Sequence, residues 1–300
     1  MNLLAILRGL LIAAFGIGPA AHGAAYELPP DVKSLRVNGY DMAYVERGSG
    51  PTIVLVHGAN SDYRYFSEVM NAFAARHRVI SVSLRHYYPE RWDGKGADFS
   101  MRQHVADMAE FIRKLGAGPV HLVGHSRGGT LALYLASAHG ELVRTVAIAE
   151  GGSGMPAFAP QAEGDGKKPS RPGPTAAAMI EQGRVEEGLA YFMNSVRGPG
   201  GWENASETDR QFYRDNAATI GPAAKDRFDS YSCADAGRIA VPVLLMGAES
   251  SPAGYAKQLD AIQACLKQPT RVLIGNSSHS MPRMNPPGFA QAVVTFIAQQ

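Results

Sequence analysis

Short apolar runs that alternate with helical periodicity restrict this chain to a layered α/β architecture. Residues 52–56, 79–82, 120–123, 143–149, 241–246 and 271–274 are β-branched or leucine-rich, most of them apolar on both faces. Strands of that kind need cover on both sides and belong in a mostly parallel sheet. Between them, residues 66–76, 101–115, 130–138, 255–266 and 287–298 space their apolar side chains by three and four, which predicts the covering helices. A hairpin is predicted over residues 35–45, around Asn38-Gly39, a dipeptide suited to tight turns. The alternation stops after Glu150. Residues 151–174 are rich in Gly, Pro and Lys, and residues 175–196, 204–220 and 222–231 then read as helices without strands. The chain therefore divides into a core over residues 26–150 and 236–300 and a helical cap over residues 151–235, inserted between two core strands.

With 300 residues, 45% of them hydrophobic and 19% charged, the chain can bury a full core unaided. Its net charge is only +2 (29 basic against 27 acidic), with no basic stripe able to neutralise many phosphates, so a nucleic-acid partner is not expected. The first 25 residues differ from the rest: one arginine, an apolar run to Gly18, then the small residues around Pro19 to Ala25. They read as a secretory signal peptide, with cleavage after Gly23 or after Ala25, and imply a secreted or periplasmic protein. The apolar run is too short to cross a hydrocarbon core of ~30 Å unaided. In an exported chain the two cysteines, Cys233 and Cys265, invite a disulfide, with two separate buried thiols as the alternative. Their spacing matches no metal site, and no motif for a metal or nucleotide cofactor occurs.

Gly124-His125-Ser126-Arg127-Gly128 directly follows an apolar strand and opens a helix. Strand, sharp turn and helix give the G-x-S-x-G pattern its meaning: the serine occupies a strained turn with its hydroxyl exposed, and the glycines make room for adjacent backbone. Here the chain resembles the α/β-hydrolase superfamily, and the resemblance extends over most of it, most specifically at residues 52–62, 119–130 and 270–298. It implies a sheet of about eight strands flanked by helices, and Ser126 as nucleophile. It also implies an oxyanion hole from the backbone N–H groups of Ala59, after the His57-Gly58 pair, and of Arg127. His279, just after the last strand, matches the superfamily's base, whereas His57 and His125 match positions that shape turns.

The acid is less plain. Many superfamily members carry it three residues beyond a glycine after the strand at 241–246, but here that position is Ser250. Glu249 stands one place early. The other known position ends the preceding strand, where Glu150 closes the run Ala147-Ile148-Ala149, and a carboxylate ending an apolar strand costs free energy unless it has a partner. Glu150 is therefore the preferred acid and Glu249 the alternative. A serine at the turn excludes the alkyl-ester chemistry of dehalogenases and epoxide hydrolases, which need an aspartate there. It suits attack on a carbonyl: a small or medium carboxylic ester or a lactone, or on the same residues a C–C bond hydrolase, perhydrolase or acyltransferase. A binding protein that keeps the fold without catalysis is the alternative from another class. Asn60, His86, Tyr87, Phe158 and Trp202 are the expected pocket residues, with Met179 and Phe192 also placed on the lid side.

Overall fold

A computed structural model of the chain describes residues 28–152, 155, 172–226 and 231–300. The expected signal peptide and Phe158 lie outside the described residues. Eight strands form one sheet: β1 (Lys33–Val37), β2 (Tyr40–Arg47), β3 (Thr52–Val56), β4 (Arg78–Val82), β5 (Val120–His125), β6 (Val143–Ala149), β7 (Val243–Ala248) and β8 (Thr270–Ile274). Their spatial order is β1-β2-β4-β3-β5-β6-β7-β8. β2 pairs antiparallel with β1 and β4, and every other neighbouring pair is parallel. The β1–β2 hairpin turns at Asn38 and Gly39, both with positive φ (44° and 78°), which is the geometry that matches strand twist.

Alternating residues of the central strands feed two cores. Val54 and Val56 pack on one face with α2 (Met101–Leu115), α3 (Arg127–Ala138), α8 (Cys233–Gly237) and α9 (Ala253–Cys265). Ile53 and Leu55 pack on the other with α1 (Ser67–Ala74) and α11 (Pro286–Ala298). Each fully buried aliphatic side chain there contributes on the order of 1.5–3 kcal/mol. Because β4 lies on one side of β3 and β5 on the other, the chain reverses its winding direction between β3 and β5. A crevice opens at such a point, outside the carboxyl ends of the strands.

Helices α4 (Pro172–Glu181), α5 (Val185–Arg197), α6 (Glu207–Asp215) and α7 (Ile220–Lys225) follow β6 and precede β7, over that end of the sheet. The helix expected over 175–196 is two helices, because Gly183 (φ 78°) breaks it and the chain turns back on itself. The region expected as one helix over 204–220 likewise breaks at Asn216. The last cap helix begins at Ile220 and ends at Lys225. Among the described residues no helix is long and apolar enough to cross a membrane.

Cys233 in α8 and Cys265 at the end of α9 are joined in a disulfide across a sequence separation of 32. A cross-link of that span is worth about 4 kcal/mol by restricting the unfolded chain. The double variant Cys233→Ser/Cys265→Ser is therefore expected to lose about 2–4 kcal/mol in guanidinium denaturation relative to the oxidised protein. A non-reducing peptide map of the parent should contain the linked pair.

Candidate active site

Four residues following the carboxyl ends of neighbouring strands hold positive φ without being glycine: His86 after β4 (70°), Asn60 after β3 (54°), Ser126 after β5 (53°) and Glu150 after β6 (46°). Such conformations cost free energy and persist only where the surroundings enforce them. At Ser126 the enforcement is visible. Its N–H donates to Ala149 O (2.8 Å) and its carbonyl accepts from Thr130 N–H (3.0 Å), which fixes the turn between strand and helix. A Cβ on Gly124 would stand 2.3 Å from Gly128 O, and one on Gly128 would stand 2.2 Å from Val56 O. Both are impossible contacts, so only glycine lets α3 start this close to β3 and β5.

The carboxylate of Glu150 is almost fully buried. It accepts from Ala248 N–H (3.0 Å), Ser251 Oγ (2.9 Å) and His279 Nδ1 (2.7 Å). The contact with Glu150 fixes the proton on His279 Nδ1, leaving Nε2 as the basic nitrogen. His279 lies in the loop between β8 and the short α10 (Met281–Met284), and His125 Nε2 anchors that loop by donating to His279 O (2.6 Å). Glu249 faces the same loop without reaching the imidazole, since its Oε2 accepts from Asn276 N–H (2.7 Å). Of the two carboxylates weighed on sequence, Glu150 is the one against His279.

The remaining histidines nearby are held neutral. Burial drives His57 down to about 3, and both its ring nitrogens are engaged: Nδ1 with Gly58 O (2.7 Å) and Nε2 with Leu84 N–H (3.1 Å). Burial, then repulsion by His279 whenever that imidazole is protonated, also holds His125 well below the ordinary range.

Ser126 and His279 line one cavity with Gly58, Ala59, Ser61, Tyr65, His125 and Ser280 from the core and Phe192, Met193, Val196 and Tyr213 from the cap. Its free space is small, about 40 Å³. Arg127 is the first residue of α3, where backbone N–H groups have no partner within the helix and the helix dipole favours negative charge. Ala59, on the cavity wall, follows Gly58, where a Cβ would stand 3.0 Å from Ser126 Cβ.

Most of the expected pocket residues stand elsewhere. Asn60 is buried and, with its amide turned to suit its neighbours, donates to Tyr213 O (2.9 Å) and Asn216 O (3.2 Å), so it ties the cap down. Tyr87 is fully buried in the core, its ring edge-on to His57 at 4.6 Å. His86 stacks on Trp92 (4.2 Å) with Nδ1 on Glu90 (3.1 Å) and Nε2 on Asp98 (2.8 Å). Burial opposes its charge, yet the two carboxylates raise its pKa on balance. Trp202 packs within the cap against Tyr213. Met193, Val196 and Tyr213, which do line the cavity, were missed because apolar residues on a cap helix look alike until its orientation over the sheet is known.

The cap is seated by arginines of the core on aspartates of the cap. Arg64, beside the turn after β3, bridges Asp62 (2.7 Å) and Asp215 (2.9 Å). The Arg127 side chain pairs with Asp226 (2.5 Å), and Arg283 pairs with Asp209. Among the described residues no group of three or more His, Cys, Asp or Glu side chains is placed to hold a metal ion.

The fold and this arrangement are those of an α/β-hydrolase, and comparison with known proteins agrees. The profile of the alpha/beta hydrolase family matches residues 53–292, so the chain belongs to that family. Among curated relatives it is 34% identical over 112 residues to a soluble epoxide hydrolase of Corynebacterium sp. (strain C12), covering 37% of this chain and 38% of that one. An uncharacterized hydrolase of Bacillus subtilis is 29% identical over 113 residues, 38% of this chain and 42% of that one. The matches therefore span well under half the length of these relatives. Among solved structures, an esterase of Exiguobacterium antarcticum superposes with TM-score 0.73 at 19% identity, covering 89% of this chain and 98% of that one. An esterase of Rhodococcus sp. ECU1013 gives 0.72 at 20%, with coverage of 89% and 98%. At these identities the likeness concerns the fold.

Arg127 and Asp226 are both nearly inaccessible, at 6% and 3%, whereas Arg283 and Asp209 are at 18% and 28%. Removing one partner of a buried pair strands the other. Asp226→Ala is expected to cost about 3 kcal/mol in chemical denaturation, and Asp209→Ala less than about 1 kcal/mol.

Proposed function

We propose that the protein is a serine hydrolase that cleaves a small or medium carboxylic ester or a lactone through an acyl-enzyme on Ser126. The observation that carries this reading is the 2.7 Å contact between buried Glu150 and His279 Nδ1, in a histidine that shares its cavity with the strained turn of Ser126. A serine hydroxyl is a weak nucleophile until a base takes its proton, and a carboxylate behind the base both selects its tautomer and stabilises the imidazolium.

Ser126 Oγ attacks the carbonyl carbon as its proton passes to His279 Nε2. The negative charge on the former carbonyl oxygen is received by the Ala59 and Arg127 N–H groups, preorganised and away from bulk water. Collapse of the tetrahedral intermediate breaks the bond to the alcohol oxygen, which takes the proton from Nε2 and leaves an ester on Ser126. Water then repeats the sequence, giving its proton to Nε2 and releasing the acid. Epoxide opening, the activity named for one relative, needs a carboxylate at the turn, and Ser126 does not provide it.

The cavity is small, about 40 Å³, and its cap side is closed by Met193 and Val196 of α5, which favours short acyl groups. The leader-like first 25 residues and the Cys233–Cys265 disulfide together support export, which N-terminal sequencing of protein recovered outside the cytoplasm would test by the expected new terminus after Gly23 or Ala25.

A fluorophosphonate probe should label Ser126 in the parent and leave Ser126→Ala unlabelled; an active protein that resists the probe has another mechanism. Glu150→Gln keeps the shape and removes the charge, so kcat is expected to fall by about two to four orders of magnitude with KM little changed. Glu249→Gln should lose less than about tenfold, as its carboxylate holds the Asn276 backbone and not the imidazole. Across aryl esters of rising chain length, kcat/KM should be greatest for the shortest acyl groups, and Met193→Ala should move the optimum to longer ones.

A further inference from the structure

We infer that Tyr255 is a positioning residue for His279, its ring forming a π face that fixes the imidazole plane and favours the imidazolium formed during turnover. The inference rests on the serine-hydrolase reading above. The two rings stack with centroids 4.1 Å apart and planes 18° from parallel. This is closer and flatter than the contact with the other ring on His279, that of His125, at 4.7 Å and 44°. An aromatic face carries negative quadrupole density and attracts a cation laid over it, more strongly where water is excluded. His279 is 6% exposed, so the charge arising there has little help from solvent.

The surroundings make this face useful. The titratable groups against the imidazole are Glu150 at Nδ1, His125 from the end of β5 and Tyr255 from the first turn of α9. Burial keeps His125 neutral, so it does not repel the imidazolium. Burial, then the Glu150 charge, pushes the Tyr255 phenol well above its usual range, so it meets His279 as a neutral ring. Glu150 fixes one edge of the imidazole but leaves rotation about that contact, and a stacked ring removes it. Tyr255 is not on the cavity wall, so its effect must pass through His279.

The same stretch supports the acid. Where many superfamily members carry an aspartate, this chain has Ser250, and the next residue, Ser251, donates to Glu150. The segment from Ser251 to Tyr255 therefore serves both members of the pair. Helix α9 is held by Leu259 and Ile262 in the core and by the disulfide at Cys265.

The test replaces the face and keeps the packing. Tyr255→Phe retains the π face, Tyr255→Leu removes it, and pentafluorophenylalanine at 255 keeps the ring but inverts its quadrupole. Loss of the face destabilises the imidazolium, so the acid limb of kcat/KM against pH should move to lower pH by about half a unit to one unit in the Leu and pentafluoro proteins. In both, kcat should fall several-fold with KM unchanged, and the Phe protein should follow the parent. The pentafluoro ring carries the test if the Leu protein does not fold. The pH midpoint of the His279 ring resonances, read by NMR in a Ser126→Ala background, should shift in the same direction without any turnover. A midpoint and limb that stay at the parental pH in the pentafluoro protein overturn the inference. A parent that takes no fluorophosphonate overturns the hydrolase reading instead, and the NMR titration still decides the stack.

Discussion

A carboxylate at the end of an apolar strand, 1% exposed, is a liability that this structure turns into its organising contact. Left unpartnered, the Glu150 charge would cost several kcal/mol. It is tolerated because a backbone N–H from β7, a hydroxyl from the next loop and the His279 imidazole converge on its two oxygens. Those donors come from two segments, residues 248–251 and the loop of His279, both distant in sequence from Glu150. The ends of β6, β7 and β8 must therefore keep their register for the charge to be satisfied, and the loop that carries His279 is fixed by the same requirement.

The second constraint is steric. Helix α3 begins within a Cβ's reach of the backbone of β3 and β5, and it also meets the turn after β6: a Cβ on Gly151 would stand 2.6 Å from Gly129 C. Glycines at 124, 128, 129 and 151 let these backbones touch, and the reward is a serine hydroxyl at a fixed point between the turn after β3 and the histidine loop. Positive φ at Asn60, Ser126 and Glu150 shows that the strain collects on one edge of the sheet. The cap is seated on that edge through Arg64, Arg127 and Arg283, each only a few residues from the segment it guards. Cap position and site geometry are thus mechanically linked, because displacing an aspartate of the cap disturbs a residue next to the turn after β3, the serine or the histidine.

Periodicity, turn chemistry and one motif made the core of this protein legible in its sequence. Apolar runs of strand length separated by amphipathic helices leave a covered parallel sheet as the favourable arrangement, and the Asn38-Gly39 turn sets the antiparallel edge. Ser126 stood out because its neighbours change from strand to helix within a few residues. His279 stood out because its place after the last strand matches the superfamily's base, and Glu150 because it ends an apolar run at a position some superfamily members use for the acid and needs a partner there. The strands, helices and turn are local signals, written in consecutive residues, whereas these two roles came from the resemblance.

Whether Glu150 or Glu249 meets His279 is a matter of where side chains point, and only the assembled sheet decides it: Glu249 sits close by and holds the Asn276 backbone. Most of the cap side of the cavity wall was likewise beyond reach of the sequence, which placed only Phe192 there. Trp202, Tyr87 and His86 have the chemistry of pocket residues but are taken up by cap packing, core packing and a carboxylate cluster, whereas Met193 and Val196 close the cavity because of how α5 is rotated over the sheet. Hydrophobic spacing fixes which face of a helix is buried, not what it is buried against. The sequence alone therefore determined the layers and the turn that carries the serine, while tertiary packing decided the histidine's partner and the shape of the cavity, because those depend on distances between segments that no local pattern encodes.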